Sequence, residues 1–160
     1  PFGELFSGLF MGMIIILLAF FIQTGNVNGF VVWISLPIVI TIGLINMANN
    51  IRDRVKDKAS GRKTLPILLG KKASITFMAA MYILAYLIVI FTALFKSGGS
   101  LFYLLVLFSF PMPIKAIRRF NKNDTPASMM PAMAATGKTN TVFGILYALG
   151  IYISALLGGI

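Results

Sequence analysis

The sequence contains no cysteine and no histidine, and only four of its 160 residues are acidic. It therefore has no ligands for a structural zinc site, an iron–sulfur cluster or a His-ligated haem. It also lacks the side chains of a Cys–His or Ser–His catalytic pair. The carboxylates are the remaining candidates for chemistry, and they are Glu4, Asp53, Asp57 and Asp124.

Charge is also scarce, because 11% of the residues are charged and 58% are apolar, whereas soluble domains carry about 25% charged residues. Five runs without a charged side chain cover residues 5–22, 30–47, 75–95, 101–114 and 142–160. A membrane-spanning helix needs about 17–25 such residues. The sequence thus predicts an all-α, polytopic membrane bundle of about five transmembrane helices in a single domain, residues 1–160. We expect Pro111 and Pro113 to end or kink the short fourth run.

The basic residues predict the orientation in the membrane. Eight Lys and Arg lie in residues 49–72 and five in residues 115–138, which together hold thirteen of the fourteen. By the positive-inside rule, we expect the start of the chain and both of these loops in the cytoplasm, and the C-terminus outside. The net charge of +10 is therefore a signal of topology in a lipid bilayer, and we expect no nucleic-acid partner.

Two of the acids lie close together, just after the second apolar run. If the helix of that run continues, Asn49 or Asn50, Asp53 and Asp57 share one face, since residues four apart are neighbours on a helix. Carboxylates at this spacing repel unless bases or a cation offset them. Mg²⁺ prefers such oxygen ligands together with the oxygens of a substrate phosphate. Basic residues that suit a diphosphate lie beside them: Arg52, Arg54, Arg62 and Lys63.

Spacing alone leaves a second interpretation open. A run of mixed charge next to a membrane is ordinarily a solvated loop that contacts anionic lipid headgroups. The string Asn49-Asn50-x-x-Asp53-x-x-x-Asp57-x-x-x-Gly61-Arg62-Lys63-Thr64-Leu65 resembles the second aspartate-rich motif of the UbiA-type intramembrane prenyltransferases. The Gly-Arg-Lys-Thr-Leu part is most similar to the branch that prenylates 1,4-dihydroxy-2-naphthoate in menaquinone synthesis. The resemblance covers nearly the whole chain but only the second half of the family's nine-helix fold.

The resemblance implies roles for individual residues. Asp53 and Asp57, with Asn49 or Asn50 in support, would bind Mg²⁺ bridging to a polyprenyl diphosphate. The diphosphate would be contacted by Arg62, Lys63 and Arg52. The resulting allylic cation would attack the ring of the aromatic acceptor, with loss of the ring carboxyl. These roles would place a motif-bearing helix and loop, residues 49–72, at the cytoplasmic face of a bacterial inner membrane.

The family's other aspartate motif, Asn-Asp-x-x-Asp-x-x-x-Asp, is absent from this sequence. Because the first residue is Pro1 rather than an initiator methionine, we expect the chain to be part of a longer protein or to pair with a second chain. The resemblance implies that the missing N-terminal half bears the first aspartate motif.

Several alternatives stay open. The acceptor could instead be 4-hydroxybenzoate, haem or a chlorophyllide. Outside enzymes, the chain could be half of a cation-binding transporter, although no apolar run contains an ionisable residue of the kind that transport pathways use. It could also be a non-catalytic membrane subunit that binds prenyl lipid.

Two other patterns have a structural and a functional interpretation. Tyr82 and Tyr86, four apart in the third run, and Tyr147 in the last run could line a cavity and stabilise a carbocation. More often such tyrosines pack between helices. Gly8-x-x-x-Gly12 in the first run predicts close helix packing, within the bundle or between copies.

Overall fold

The structure is a computed structural model that describes residues 2–96 and 99–158. These residues form helices and short connections, with no β-strand among them. The helices are α1 (Gly3–Gly8), a π-helical segment (Leu9–Ile14), α2 (Ile15–Thr24), α3 (Gly29–Ala59), α4 (Leu65–Leu69), α5 (Lys71–Phe95), a 3-10 helix (Leu101–Ser109), α6 (Pro111–Lys122) and α7 (Met130–Leu156).

Five helical segments within the described residues are long and apolar enough to cross a membrane. They are Gly3–Thr24, Gly29–Ala59, Lys71–Phe95, Leu101–Lys122 and Met130–Leu156. The prediction of an all-α membrane bundle with five spans is therefore confirmed. Pro1 and residues 159–160, the end of the predicted last span, lie outside the described residues.

The first span packs against α3 through two glycines four residues apart. A Cβ atom built on Gly8 would lie 2.3 Å from the Val39 carbonyl oxygen, and one built on Gly12 would lie 2.9 Å from Val39 Cα. From the opposite side, a Cβ on Gly43 would lie 2.7 Å from the Glu4 carbonyl oxygen. The GxxxG pattern thus serves packing within the bundle, and this contact holds the start of α1 against α3.

Replacing Gly8 by alanine is expected to destabilise the bundle by about 1–3 kcal/mol, because the added methyl group meets rigid backbone. The matched control is Gly144→Ala in α7, where an added Cβ has nothing within 4 Å. There alanine should leave stability unchanged or raise it, since glycine weakens a helix interior. Thermal unfolding of the two variants in detergent measures the difference. Equal melting temperatures would contradict the packing account.

The fourth span differs from the α-helix that its apolar run predicts. Its first nine residues, Leu101–Ser109, form a 3-10 helix, and α-helical geometry begins at Pro111. A 3-10 helix has three residues per turn, so Tyr103, Val106 and Ser109 fall on one face, and all three are buried. This buried face explains why the segment winds more tightly: a period of three keeps the same residues against α5 and α7.

The prolines of this span lie where the 3-10 helix has ended, at Ser109, and where α6 begins. Pro111 is the first residue of α6, a position where the missing N–H of proline costs nothing. Helix α6 continues to Lys122 and α7 starts at Met130, so much of the segment 115–138, predicted as a loop, is helical. The basic residues end the apolar run without ending the helix, because α6 exposes them while it buries Ala116 and Phe120.

Candidate functional site

Helix α3 carries the aspartate-rich motif beyond its apolar run, as the spacing predicts, and ends only at Ala59. Asn50 and Asp57 are both buried and lie seven residues, about two turns, apart. The Asp53 side chain between them is 33% exposed, and Asn49 is half-buried. The motif therefore occupies one side of the helix, with its deepest positions at Asn50 and Asp57.

A tight turn after α3 returns the chain to Asp57. The Arg62 N–H donates to the Asp57 carbonyl oxygen at 3.0 Å, and the Gly61 N–H donates to the Lys58 carbonyl oxygen at 3.1 Å. This pair of bonds is a Schellman motif, and Gly61 supplies its left-handed residue with a φ of +73°. A glycine four residues after Asp57 thus lets the helix end and places Arg62 beside the carboxylate.

The Asp57 carboxylate is paired on one oxygen and free on the other. Arg62 Nη1 lies 3.0 Å from Asp57 Oδ1, and the Asp57 side chain is only 8% exposed. Asp57 Oδ2 is buried and has no hydrogen-bond partner within the described residues. Leaving a buried acceptor unsatisfied costs about 1–3 kcal/mol and more for a charged group. Oδ2 is therefore the atom that a bound cation or donor would satisfy.

Asp53 is held differently, by its neighbour Arg52. Arg52 Nε and Nη2 donate to the two carboxylate oxygens of Asp53 at 2.8 and 2.5 Å. Arg52 also reaches α7, where its Nη1 donates to Met133 Sδ at 3.0 Å. Both oxygens of Asp53 thus already accept a hydrogen bond, and a cation at Asp53 would share the carboxylate with Arg52. Contact of Arg52 with a diphosphate stays a prediction.

A polar cavity of about 300 Å³ lies beside the motif. Its lining residues come from α1, α3 and the segment after α3: Gly3, Glu4, Asn46, Asn50, Arg62, Lys63 and Thr64. The structure therefore brings Asn50 together with Arg62 and Lys63. Asp57 lies one hydrogen bond away through Arg62. Asn49, Arg52 and Asp53 are not among the lining residues.

Glu4 is a site residue that the spacing of the motif did not indicate. Its Oε1 accepts a hydrogen bond of 2.8 Å from Asn50 Nδ2, across 46 residues of sequence. Only the packing of α1 on α3 brings the two together. The available sequence signal was the position of Glu4 directly before the GxxxG span.

An apolar groove of about 430 Å³ adjoins the polar cavity, and Glu4 lines both. The groove lies between α1, α3, α4 and α5, and its other lining residues are Phe2, Leu5, Val39, Ile40, Gly43, Leu44, Leu65, Leu68, Phe77 and Met81. Ligand sites of this size are usually apolar with a few polar groups at one end. The combination suits a molecule with a charged head and a hydrocarbon tail.

The donor set fits Mg²⁺ at Asp57. Magnesium sites commonly use one or two carboxylates and complete the shell with waters and substrate phosphate oxygens. The buried, unpartnered Asp57 Oδ2 provides one such ligand, and Asn50 provides an amide about two turns earlier on the same helix. No group of three or more Asp, Glu, His or Cys side chains suited to a metal occurs in residues 2–96 and 99–158. A metal here therefore depends on few protein ligands and on the substrate.

The three tyrosines considered as cavity residues are buried between helices. The Tyr86 hydroxyl shares a hydrogen bond of 2.7 Å with Ser109 Oγ, and its ring packs edge-on against Phe143 at 5.2 Å. Tyr147 also packs against Phe143. None of the three lines the polar cavity or the apolar groove, but Tyr82 lines a separate cavity of about 280 Å³ between α5 and α6. Their contacts are those of packing residues, and a role in the site stays a prediction.

The two basic segments lie at the same end of the bundle. Lys71 Nζ donates to Asp124 Oδ1 at 2.6 Å and to the Asn123 carbonyl oxygen at 2.7 Å, which joins the start of α5 to the α6–α7 connection. Arg52 joins the end of α3 to α7 in the same region. This placement agrees with the alternation that the positive-inside rule requires. Asp124 is 84% exposed and paired with Lys71, and it does not line the polar cavity.

Comparison with known proteins places this geometry in a family. The chain is 46% identical to a 1,4-dihydroxy-2-naphthoate octaprenyltransferase of Bacillus subtilis over 96% of its length, and the match covers 49% of that protein. It is 32% identical to the UbiA prenyltransferase domain-containing protein 1 homolog of Drosophila melanogaster, over 91% of this chain and 39% of that protein. The human UbiA prenyltransferase domain-containing protein 1 is 26% identical over 95% of this chain.

The chain spans about half the length of the curated relatives it matches. No solved structure matches it significantly. The family model that matches is that of the UbiA prenyltransferases, over residues 1–136. With its five membrane-spanning helices and the aspartate motif on α3, this multi-pass membrane chain belongs to the UbiA prenyltransferase family.

Proposed function

We propose that this chain supplies the second metal and diphosphate site of an enzyme that transfers a polyprenyl chain to 1,4-dihydroxy-2-naphthoate. The observation that carries the proposal is the buried Asp57 carboxylate, whose Oδ2 has no partner among the described residues. Its Oδ1 accepts a hydrogen bond from Arg62, which lines the polar cavity together with Lys63. Membership of a prenyltransferase family supports the reaction. The name of the Bacillus subtilis relative supports the acceptor and, with it, a place in menaquinone synthesis.

In this mechanism the basic residues bind the head of the substrate. Arg62 and Lys63 contact diphosphate oxygens and stabilise the negative charge that grows there as the allylic C–O bond breaks. Asp57 and Asp53, with Asn49 or Asn50, would hold Mg²⁺, which would supply further positive charge at the leaving group. The diphosphate leaves with the electron pair of the C–O bond. A C–C bond then forms between the prenyl carbon and the ring carbon that bears the carboxylate, and the carboxylate leaves as CO₂ while the electrons of its bond to the ring restore the aromatic system.

The apolar groove is proposed to hold part of the prenyl chain. Leu68→Trp is expected to lower kcat/KM for a long polyprenyl diphosphate about tenfold relative to geranyl diphosphate, or about 1.4 kcal/mol, because indole fills the groove. Leu69→Trp is the matched control, since Leu69 is the next residue of α4 but does not line the groove. The ratio of the two kcat/KM values is the measurement. An equal drop in both variants would remove the groove from the account.

The chain is proposed to form one domain, residues 1–160, that corresponds to the second half of a nine-helix fold. The remaining half would carry the first aspartate motif, in keeping with the 49% coverage of the Bacillus subtilis relative. We further propose that residues 49–72 and 115–138 face the cytoplasm of a bacterial inner membrane and that the C-terminus lies outside. Labelling of single cysteines introduced at Lys58 and at Asn26 tests this orientation, because these exposed positions lie at opposite ends of α3.

Prenyl transfer by a chimera tests the proposed acceptor. In this chimera the chain replaces the matched half of the Bacillus subtilis protein, so that both aspartate motifs are present. With Mg²⁺ and a polyprenyl diphosphate, we expect product from 1,4-dihydroxy-2-naphthoate and little or none from 4-hydroxybenzoate. A preference for 4-hydroxybenzoate would overturn the acceptor and leave the diphosphate site in place.

A further inference from the structure

Glu4 is the polar side chain that α1 contributes to the cavity, and it contacts α3 directly. Its Oε1 accepts the hydrogen bond from Asn50 Nδ2 at 2.8 Å. The main chain of Glu4 is held against α3 as well, since a Cβ on Gly43 would lie 2.7 Å from its carbonyl oxygen. Both ends of this hydrogen bond are therefore fixed by the packing of the first span on α3.

A carboxylate beside Arg62 and Lys63 does not assist the binding of a diphosphate. Like charges repel, so Glu4 alone would weaken the binding of an anion in the same cavity. The ion pairs of the described residues join Arg52 to Asp53, Arg62 to Asp57 and Lys71 to Asp124, and none involves Glu4. The identified polar partner of the Glu4 side chain in the cavity is Asn50. We therefore look for the role of Glu4 in its hydrogen bond with Asn50.

The charge of Glu4 determines which way the Asn50 amide faces. A carboxylate accepts hydrogen bonds and cannot donate them, so it takes the NH₂ group of Asn50. Because the amide is planar, Oδ1 then lies on the side away from Glu4. Cations bind the amide oxygen and not the NH₂ group. A neutral partner such as glutamine would accept from NH₂ or donate to Oδ1 and would leave both orientations open.

Resting on the proposed function, we propose that Glu4 is a positioning residue that orients the Asn50 amide so that Oδ1 serves the magnesium site. Groups that orient metal ligands typically contribute 10–100-fold to metal affinity. Glu4 thus extends the site from the motif helix to the first span. Because the main chain of Glu4 packs against Gly43, the packing of the first span on α3 then also affects metal binding.

Metal affinity tests the proposal without relying on turnover. Mn²⁺ is titrated into the purified chimera in the presence of an unreactive prenyl thiolodiphosphate. Electron paramagnetic resonance monitors the bound Mn²⁺ and gives its dissociation constant. We expect Glu4→Ala to raise it about 10–100-fold and Glu4→Gln to raise it less. Gln23→Ala, which removes an exposed hydrogen bond near the other end of the first span, should leave it unchanged. An unchanged constant in Glu4→Ala would overturn the proposal.

A double-mutant cycle separates positioning from general damage to the fold. If Glu4 acts through Asn50, the double variant Glu4→Ala/Asn50→Ala binds Mn²⁺ no more weakly than Asn50→Ala alone. Additive losses, or a lowered melting temperature in Glu4→Ala, would assign Glu4 a structural role.

Asp57→Asn distinguishes a failure of the proposed function from a failure of the role proposed for Glu4. If it leaves Mn²⁺ binding intact, the proposed function fails. If it abolishes binding while Glu4→Ala has no effect, only the role of Glu4 fails.

Discussion

Asp57→Asn is expected to lower prenyl transfer by the chimera at least about 100-fold, the scale of removing a group that stabilises transition-state charge. The substitution keeps an amide oxygen that can accept a hydrogen bond from Arg62. It removes the negative charge and puts an NH₂ group in the place of the free, buried Oδ2. Initial rates at saturating prenyl diphosphate and varied Mg²⁺ measure the loss. High Mg²⁺ should restore little of it, because the ligand itself is gone.

Asp124→Asn is the matched control for this experiment. It makes the same chemical change at a carboxylate that is exposed and paired with Lys71, outside the cavity. Its rate should stay within about twofold of the wild type, as expected for a surface ion pair of little energetic weight. Similar losses in both variants would show that the effect of Asp57→Asn comes from the charge of the protein as a whole.

Asp53→Asn is expected to abolish turnover to a comparable extent, about 100-fold or more, while the fold stays intact. The Asp53 side chain is one-third exposed, so asparagine is readily accommodated. The measurement combines release of diphosphate with the melting temperature in detergent. Loss of folding instead of turnover would show that Asp53 is a structural residue.

Arg52 provides the control that separates these two roles of Asp53. If Asp53 serves only to anchor Arg52 near Met133, then Arg52→Gln should reproduce the full loss, since it breaks the same pair. If Asp53 is a metal ligand, Asp53→Asn weakens the binding of Mn²⁺ to the chimera, whereas Arg52→Gln keeps the carboxylate of Asp53 and leaves Mn²⁺ binding in place. Equal losses of Mn²⁺ binding in the two variants would therefore contradict metal binding by Asp53.

The sequence predicted the parts of this architecture that depend on local pattern. The length of the apolar runs predicted the five spans. The spacing of Asn49 or Asn50, Asp53 and Asp57 predicted a shared face if the helix continued, and α3 does continue to Ala59. Gly61 was recognised as part of a motif, but the sequence did not show why a glycine is needed there. In the structure, Gly61 adopts the left-handed conformation of the turn that brings Arg62 back to Asp57.

Features that depend on distant contacts were beyond reach of the sequence. The bond between Glu4 and Asn50 exists because α1 packs on α3, and no spacing rule connects residues so far apart. The 3-10 helix Leu101–Ser109 was missed because an apolar run predicts an α-helix. Its period of three emerges only when the neighbouring helices show which residues are buried. Likewise, basic residues ended the predicted fourth span while α6 continued with those residues exposed.

Release of diphosphate by the chimera, with and without Mg²⁺, tests the central claim most directly. The assay supplies a polyprenyl diphosphate and 1,4-dihydroxy-2-naphthoate, and the chain alone is measured in parallel. The account predicts release and prenylated product from the chimera only when Mg²⁺ is present, and neither from the chain alone. The assay is repeated with 4-hydroxybenzoate as the acceptor. An intact, folded chimera that releases no diphosphate in the presence of Mg²⁺ with either of these two acceptors would contradict the claim that this chain carries a working diphosphate site.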